Sequence, residues 1–257
     1  MKKIVIKCGG SILDELSSEF FQSLTELKKL GYQIVIVHGG GPDINDMLNQ
    51  LNVVPEFDNG LRKTDKKTFK VVEMVLSGKT NRKLVEKLTT NGLGAIGVNG
   101  SDANILLGNF VNREKLGFVG SVDEVNTELL YMFLEKGLVP VITPIACTTN
   151  GTKLNVNADY AAAAVAHALR VDHCLFVTDV EGIKINGKFV KSLQLEELEG
   201  YIRTGEIYGG MIPKVNSAVS AIEKGIDSVM IVSGLTSFFH HHEWHGTKIY
   251  GKERVAQ

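Results

Sequence analysis

Lys3-Ile4-Val5-Ile6-Lys7-Cys8-Gly9-Gly10-Ser11 and Gln33-Ile34-Val35-Ile36-Val37-His38-Gly39-Gly40-Gly41-Pro42 share one grammar: a short β-branched run, a polar residue, then a glycine cluster that leads toward helical sequence. Each run has the length of a buried strand, and each cluster lies at its carboxyl end. In open parallel sheets that edge is where ligands bind. A glycine-rich turn into a helix N-terminus leaves backbone N–H groups bare for an anion. Either cluster alone fits a tight strand-to-helix turn equally well. Lys7 makes the pair informative, because a lysine at the end of a strand beside bare donors is a fixed point charge suited to phosphate.

Outward from these turns the pattern repeats. Strand-like runs at 4–6, 33–37, 95–98, 139–143, 175–178 and 228–232 alternate with helical patterns at 20–30, 43–51, 80–90, 125–136, 160–169 and 214–224. This alternation predicts an α/β fold with a mainly parallel central sheet. Helical stretches stop at Gly31, Gly92, Gly137 and Gly225, each in a setting suited to a left-handed cap. The stretch 180–191, centred on Asn186-Gly187, is expected as a hairpin. No linker, repeat or low-complexity tract divides the chain, so any two lobes must share one sheet or a tight interface.

Composition narrows the function classes. The chain has 257 residues, 44% of them hydrophobic, with 28 Lys plus Arg against 29 Asp plus Glu for a formal charge of −1. That excludes disorder and argues against non-specific nucleic-acid binding. Cys8, Cys147 and Cys174 are odd in number and far apart, with no C-x-x-C pair, so neither a disulfide framework nor a zinc knuckle is indicated and a reducing compartment fits. No apolar run approaches the ~18 residues that span a bilayer, so a cytoplasmic protein with no membrane partner is expected.

Several familiar motifs fail on context. Gly78-Lys79-Thr80 imitates the end of a P-loop, but Glu73 stands where the first glycine is required. Gly92-x-Gly94-x-x-Gly97 matches the dinucleotide fingerprint in letters, yet it leaves a helix and enters a strand. His38-Gly39-Gly40-Gly41 resembles a lipase oxyanion segment, without any G-x-S-x-G elbow in the chain. His240, His241, His242, Glu243 and His245 lack the spacing of a helical zinc site and read as a solvated or interface segment.

Further candidates lie downstream. Leu154-Asn155-Val156-Asn157-Ala158-Asp159 crowds amides and an acid at the start of an alanine-rich helix, more polar groups than one N-cap needs. Gly209-Gly210-Met211-Ile212-Pro213-Lys214 sets a lysine in the first turn of a helix, where the macrodipole disfavours a cation. That misfit calls for an anion: a bound phosphate or Asp159. Arg62, in what reads as a loop at Asn59-Gly60-Leu61-Arg62, offers a planar fork to a carboxylate, although alone it is also an ordinary surface arginine.

Taken in order and spacing, Lys7-x-Gly9-Gly10, His38-Gly39-Gly40-Gly41, Asn59-Gly60-Leu61-Arg62, Leu154-Asn155-Val156-Asn157-Ala158-Asp159 and Gly210-Met211-x-x-Lys214 resemble the acetylglutamate kinases of the amino acid kinase family, over nearly the whole chain. The resemblance implies an open αβα sandwich of two lobes sharing one sheet: roughly 1–170 for acceptor binding and dimerisation, and roughly 171–257 for ATP. It implies phosphoryl transfer from MgATP, a co-substrate that carries its own magnesium, to the γ-carboxylate of N-acetyl-L-glutamate in arginine biosynthesis. No protein-held metal and no tightly bound cofactor are expected. By similarity Lys7 and Lys214 flank the moving phosphoryl and Asp159 orients both. Gly40, Gly41, Arg62, Asn155 and Asn157 hold the acceptor. Gly9, Gly10, Asp179, Gly182, Ile183, Lys184, Tyr208, Gly209 and Gly210 hold ATP.

Two departures carry expectations. Arginine-inhibited members of the family have an extra N-terminal helix, whereas here the first strand starts almost at Met1, so a homodimer without arginine feedback is expected. The segment 238–247 keeps only His245-Gly246-Thr247 of the family's Gly-x-Gly-Thr. The alternatives are a kinase of the one-methylene-longer N-acetyl-aminoadipate, which a hydrophobic pocket separates by only ~1–3 kcal/mol, and a nucleotide-binding regulator without turnover.

Overall fold

All six strand-like runs enter one sheet. The computed structural model describes residues 1–251. Its central sheet has eight strands: β1 (Lys3–Cys8), β2 (Gln33–His38), β3 (Ala95–Asn99), β4 (Val139–Thr143), β5 (His173–Thr178), β6 (Ser192–Gln194), β7 (Ser228–Ser233) and β8 (Thr247–Tyr250), in the spatial order β6-β8-β7-β5-β1-β2-β4-β3. Every ladder is parallel except β7 with β8. The sheet runs unbroken from strands contributed by the first 143 residues to strands that follow residue 172. Strands β6 and β8 were not foreseen, being short and half-exposed at one edge.

Period-two alternation assigns each face of the sheet. Ile4, Ile6 and Cys8 of β1, with Ile34 and Ile36 of β2, pack on Phe20, Phe21, Leu24 and Leu27 of helix α1 (Ser18–Lys29). Val5, Val35 and Val37 face the other way, against a cluster that includes Ala161, Ala162, Val165 and Ala166. Successive strand residues point to opposite faces, so Lys7 belongs to the Val5 side. The small alanines let their helix lie close to β1, so the register of β1 delivers the Lys7 ammonium to the N-terminus of that helix.

The remaining helices longer than one turn are α2 (Gly41–Gln50), α3 (Lys66–Met74), α4 (Asn81–Thr90), α5 (Thr127–Glu135), α6 (Ala158–Leu169), α7 (Leu195–Arg203) and α8 (Met211–Glu223). Between α3 and α4 a π-helical stretch, Val75–Thr80, keeps the three continuous, so the helix foreseen from residue 80 begins well before it. The foreseen caps hold: Gly31, Gly92, Gly137 and Gly225 all have positive φ. The 180–191 stretch contains the expected hairpin, Lys184–Ile185 against Lys188–Phe189. A smaller mixed sheet packs on the Val5 side, and its strand Lys153–Val156 runs directly into α6. His240 and Trp244 belong to a hairpin, with His241 and His242 in its turn. Among the described residues no acidic, His or Cys cluster forms a metal site there or elsewhere. No helix of the described residues is long and apolar enough to cross a membrane.

His38 closes β2 and is fully buried, which depresses its imidazole to a pKa of about 4. Asn81 Nδ2 donates to its Nε2 at 3.1 Å, so the ring proton sits on Nδ1, 2.9 Å from the Gly39 carbonyl. The unfolded chain binds a proton near pH 6.5 that the native chain refuses until about pH 4, so stability falls as pH drops through that interval. Urea unfolding from pH 7 to 4 is therefore expected to show a loss steeper in the wild type than in His38→Gln, the two curves differing by about 3 kcal/mol across the window.

Candidate active site

The glycine turns after β1 and β2 touch backbone to backbone. A Cβ on Gly10 would stand 2.7 Å from both Gly40 Cα and Gly40 N, and one on Gly40 would overlap Leu76 Cδ2. Only glycine allows this approach, which brings two sets of backbone donors to one edge of the sheet. Helix α2 is moored beside them through Asp43 in its first turn, which accepts from Thr80 Oγ1 at 3.0 Å and pairs with Lys79 Nζ at 2.7 Å. This is the work of the segment that imitates a P-loop.

The turns floor a cavity of ≈ 340 Å³ lined by Lys7, Gly9, Gly10, Gly40, Gly41, Arg62, Asn155, Asn157 and Asp159 among others. Lys7 Nζ stands 2.8 Å from Asp159 Oδ1, and the other carboxylate oxygen accepts from Ser217 Oγ at 2.8 Å. Both members of the Lys7–Asp159 pair are largely buried. The ammonium also lies over the Phe176 ring, on the neighbouring strand β5. Asn157 caps α6, its Oδ1 accepting from the Asp159 and Tyr160 amides, so its Nδ2 is left as the group it can turn to the cavity.

Arg62 is not in a loop, as its sequence context had implied. It sits on one strand of a hairpin, residues 57–62, whose Asn59-Gly60 turn has positive φ at both positions. The register opposes Phe57 to Arg62, and the guanidinium lies 4.7 Å from the Phe57 ring centroid. Arg62 Nη2 donates to Asn45 Oδ1 at 2.7 Å, while the buried Nη1 has no hydrogen-bond partner among the described residues. Only 8% of Arg62 is exposed and no carboxylate among the described residues pairs with it, so burial pushes its pKa below the usual arginine value. A buried guanidinium that lines a cavity and has no carboxylate of the described residues to neutralise it is a site for a carboxylate. Thr64, fully buried, supports it by donating to the Arg62 carbonyl at 2.7 Å and accepting from Asn155 Nδ2 at 3.1 Å.

A second cavity, of ≈ 510 Å³, is lined by Asp179, Gly182, Lys184, Tyr208, Gly210 and Lys214 with their neighbours. Lys214, in the first turn of α8, finds its anion in Asp179: Nζ lies 2.6 Å from Oδ1, and the hydrogen bond from Lys214 holds the Asp179 carboxyl below its ordinary pKa. This corrects the expectation that Asp159 orients both lysines. Asp159 serves Lys7, and its second oxygen is taken by Ser217. Ile183 also departs from expectation. Its side chain is buried in the core, and its N–H donates to Thr247 Oγ1 at 2.8 Å, so it supports the loop rather than lining the cavity. Gly209 lies next to that lining, with positive φ in the turn that leads to α8.

The model of the amino acid kinase family matches residues 2–233. An acetylglutamate kinase from Bacillus licheniformis is 50% identical over 255 residues, covering 99% of each chain. The chain belongs to the amino acid kinase family. The crystal structure of smu.665 from Streptococcus mutans superposes with a TM-score of 0.82 at 31% identity, over 96% of this chain and 98% of that one. A Giardia carbamate kinase shares the fold at 15% identity, with a TM-score of 0.67 over 97% and 98% of the two chains.

Among the features of this amino acid kinase that sequence reasoning missed, Ser217 stands one helical turn after Lys214, a spacing that puts both on neighbouring parts of one face. Phe57 was visible as the partner of Arg62 only once Asn59-Gly60 is taken as a two-residue hairpin turn. Thr64 had no signal beyond proximity to a motif, and Thr247 stood in the His245-Gly246-Thr247 remnant without an assigned role. Gly10→Ala forces the two glycine turns apart by close to 1 Å, a displacement that costs about 100-fold in turnover when it misplaces reacting groups. Steady-state kinase assays beside circular dichroism are expected to show that loss with secondary structure retained.

Proposed function

We propose that this amino acid kinase transfers the γ-phosphoryl group of MgATP to the γ-carboxylate of N-acetyl-L-glutamate, giving an acyl phosphate in arginine biosynthesis. The observation that carries the choice of acceptor is Arg62: a buried cation with an unused edge, in the same cavity as Lys7 and the paired glycine turns. An acceptor carrying two carboxylates meets that arrangement, one on the guanidinium and the other beside the phosphate cradle. Relatives bearing the name acetylglutamate kinase, half identical over almost the full length, support the same acceptor.

In this reading a γ-carboxylate oxygen attacks the terminal phosphorus, and the bond from that phosphorus to the β,γ-bridging oxygen breaks as ADP leaves. The attacking group is already ionised, so no general base is required. Like charges must be brought together, and cations and backbone donors offset the repulsion. Lys7 and the N–H groups of Gly10, Gly40 and Gly41 act from the acceptor side, and Lys214 acts from the nucleotide side. Asp159 holds Lys7 in place. Arg62, Asn155 and Asn157 hold the acceptor. Asp179, Gly182, Lys184, Tyr208, Gly209 and Gly210 surround the nucleotide, with Ile183 supporting their loop from the core, while Gly9, expected at ATP, lies with Gly10 on the floor of the first cavity, where the terminal phosphate would arrive. Roughly residues 1–170 thus serve the acceptor and the dimer contact, and the rest serve ATP. The final residues, 252–257, lie outside the described part of the chain. A cytoplasmic homodimer is the assembly that fits this role.

Hydroxylamine converts an acyl phosphate to a hydroxamate, so the trap reports the product directly. Colour is expected only when ATP and N-acetyl-L-glutamate are both present. Lys7→Ala and Lys214→Ala, each checked for folding, are expected to lower the rate by ~10²–10³, the usual cost of removing one electrostatic stabiliser. Normal turnover in either folded variant contradicts the assigned roles, and a missing hydroxamate in the wild type contradicts the acceptor.

A further inference from the structure

The carboxylate that anchors Lys7 is held from its far side by a residue of a different helix. Asp159 lies in the first turn of α6, where an acid complements the helix dipole. Its Oδ1 takes Lys7 from β1, and its Oδ2 takes the hydroxyl of Ser217 from α8. Helices α6 and α8 pack against one another, and Ser217 and Asp159 make a hydrogen bond across that contact. A charge-assisted hydrogen bond across such a contact has a defined length and direction.

Resting on the kinase reading above, we infer that Ser217 is a positioning residue for the phosphoryl-transfer site. Its hydroxyl occupies the second Asp159 oxygen, so that this acid is committed to Lys7 while Lys214 stays with Asp179 until a nucleotide draws it away. Ser217 touches no reacting atom in this scheme. It acts through Asp159 on the direction of the Lys7 ammonium. Neither the glycine cradle nor the Lys7–Asp159 pair supplies that cross-link, since their members lie on β1, α2, α6 and the turns after β1 and β2.

The test compares near-isosteric side chains. Ser217→Thr keeps the hydroxyl and Ser217→Val removes it at the same volume, so the pair separates the bond from the packing. The hydroxyl-free variants, Ser217→Val and Ser217→Ala, are expected to lose about tenfold in kcat, the scale of one hydrogen bond to a charged group, with both KM values within twofold of wild type. Ser217→Thr is expected to stay close to wild type. A purely structural effect would add to any second change. The inference instead requires that Ser217→Ala cost nothing further in a Lys7→Ala background and its full tenfold in a Lys214→Ala background. Equal rates in the Thr and Val variants overturn it, and so does simple additivity with Lys7→Ala. A readout that needs no acceptor is the pair of Lys7 Hε NMR resonances in the ligand-free protein, assigned by loss in Lys7→Arg. They are expected to be distinct in the wild type and Ser217→Thr and merged in Ser217→Ala. If the wild type makes no hydroxamate, the kinase reading fails, and those resonances still decide for or against Ser217.

Discussion

The ion pair between Lys7 and Asp159 is the contact on which the site depends. It joins the end of the central strand β1 to the first turn of α6, at 2.8 Å and with little solvent around it. A lysine at a helix N-terminus is electrostatically misplaced, and a buried unpaired ammonium is costly. The acid removes both problems and leaves the ammonium's other hydrogens available for a ligand. The rest of the architecture makes this pair possible: the alternation of β1 that turns Lys7 toward α6, the alanines that let α6 approach, and the hairpin and small sheet that bring Arg62 and Asn155 to the same cavity.

Charge is distributed between two cavities rather than one. The first holds Lys7, the glycine turns and the partly unsatisfied guanidinium of Arg62. The second holds Lys214, neutralised by Asp179. Asp179 follows β5, which neighbours β1 in the sheet, so the anion that occupies Lys214 is anchored one strand away from Lys7. Bringing a polyphosphate to this region supplies a stronger anion than one carboxylate, and competition for Lys214 follows from the charges alone. Phosphoryl transfer between two such cavities requires the lysines to act on one group from opposite sides.

Much of the fold was legible because it rests on local rules. The runs at 4–6, 33–37, 139–143, 175–178 and 228–232 are short, apolar on both faces and largely buried, the run at 95–98 is a half-buried strand at the sheet edge, and the glycines at 31, 92, 137 and 225 stop helices for steric reasons. The helix before residue 80 was hidden because α3 buries only a narrow stripe, Thr68, Val71 and Val72, and the π-helical stretch after it shifts the phase of the pattern. Strand β8 was hidden because it is a half-exposed piece set by its pairing with β7, a long-range fact. The same distinction holds in the site. Lys7, Gly9, Gly10, Gly40 and Gly41 follow from strand and turn grammar. The pairing of Lys214 with Asp179 and the hold of Ser217 on Asp159 depend on which elements the fold places side by side, which no local pattern encodes, whereas the stacking of Arg62 on Phe57 is local and needed only the Asn59-Gly60 hairpin turn to be read.

The central claim is that Lys7 and Lys214, apart in the ligand-free molecule, meet on one transferring phosphoryl group. A crystal structure of the protein with MgADP, aluminium fluoride and N-acetyl-L-glutamate measures this directly. The account predicts both ammonium nitrogens at hydrogen-bond distance, about 3 Å, from the fluoride ligands of the phosphoryl mimic, with Lys214 released from Asp179. A mimic held by Lys7 alone, with Lys214 still bound to Asp179 and out of reach, would contradict it.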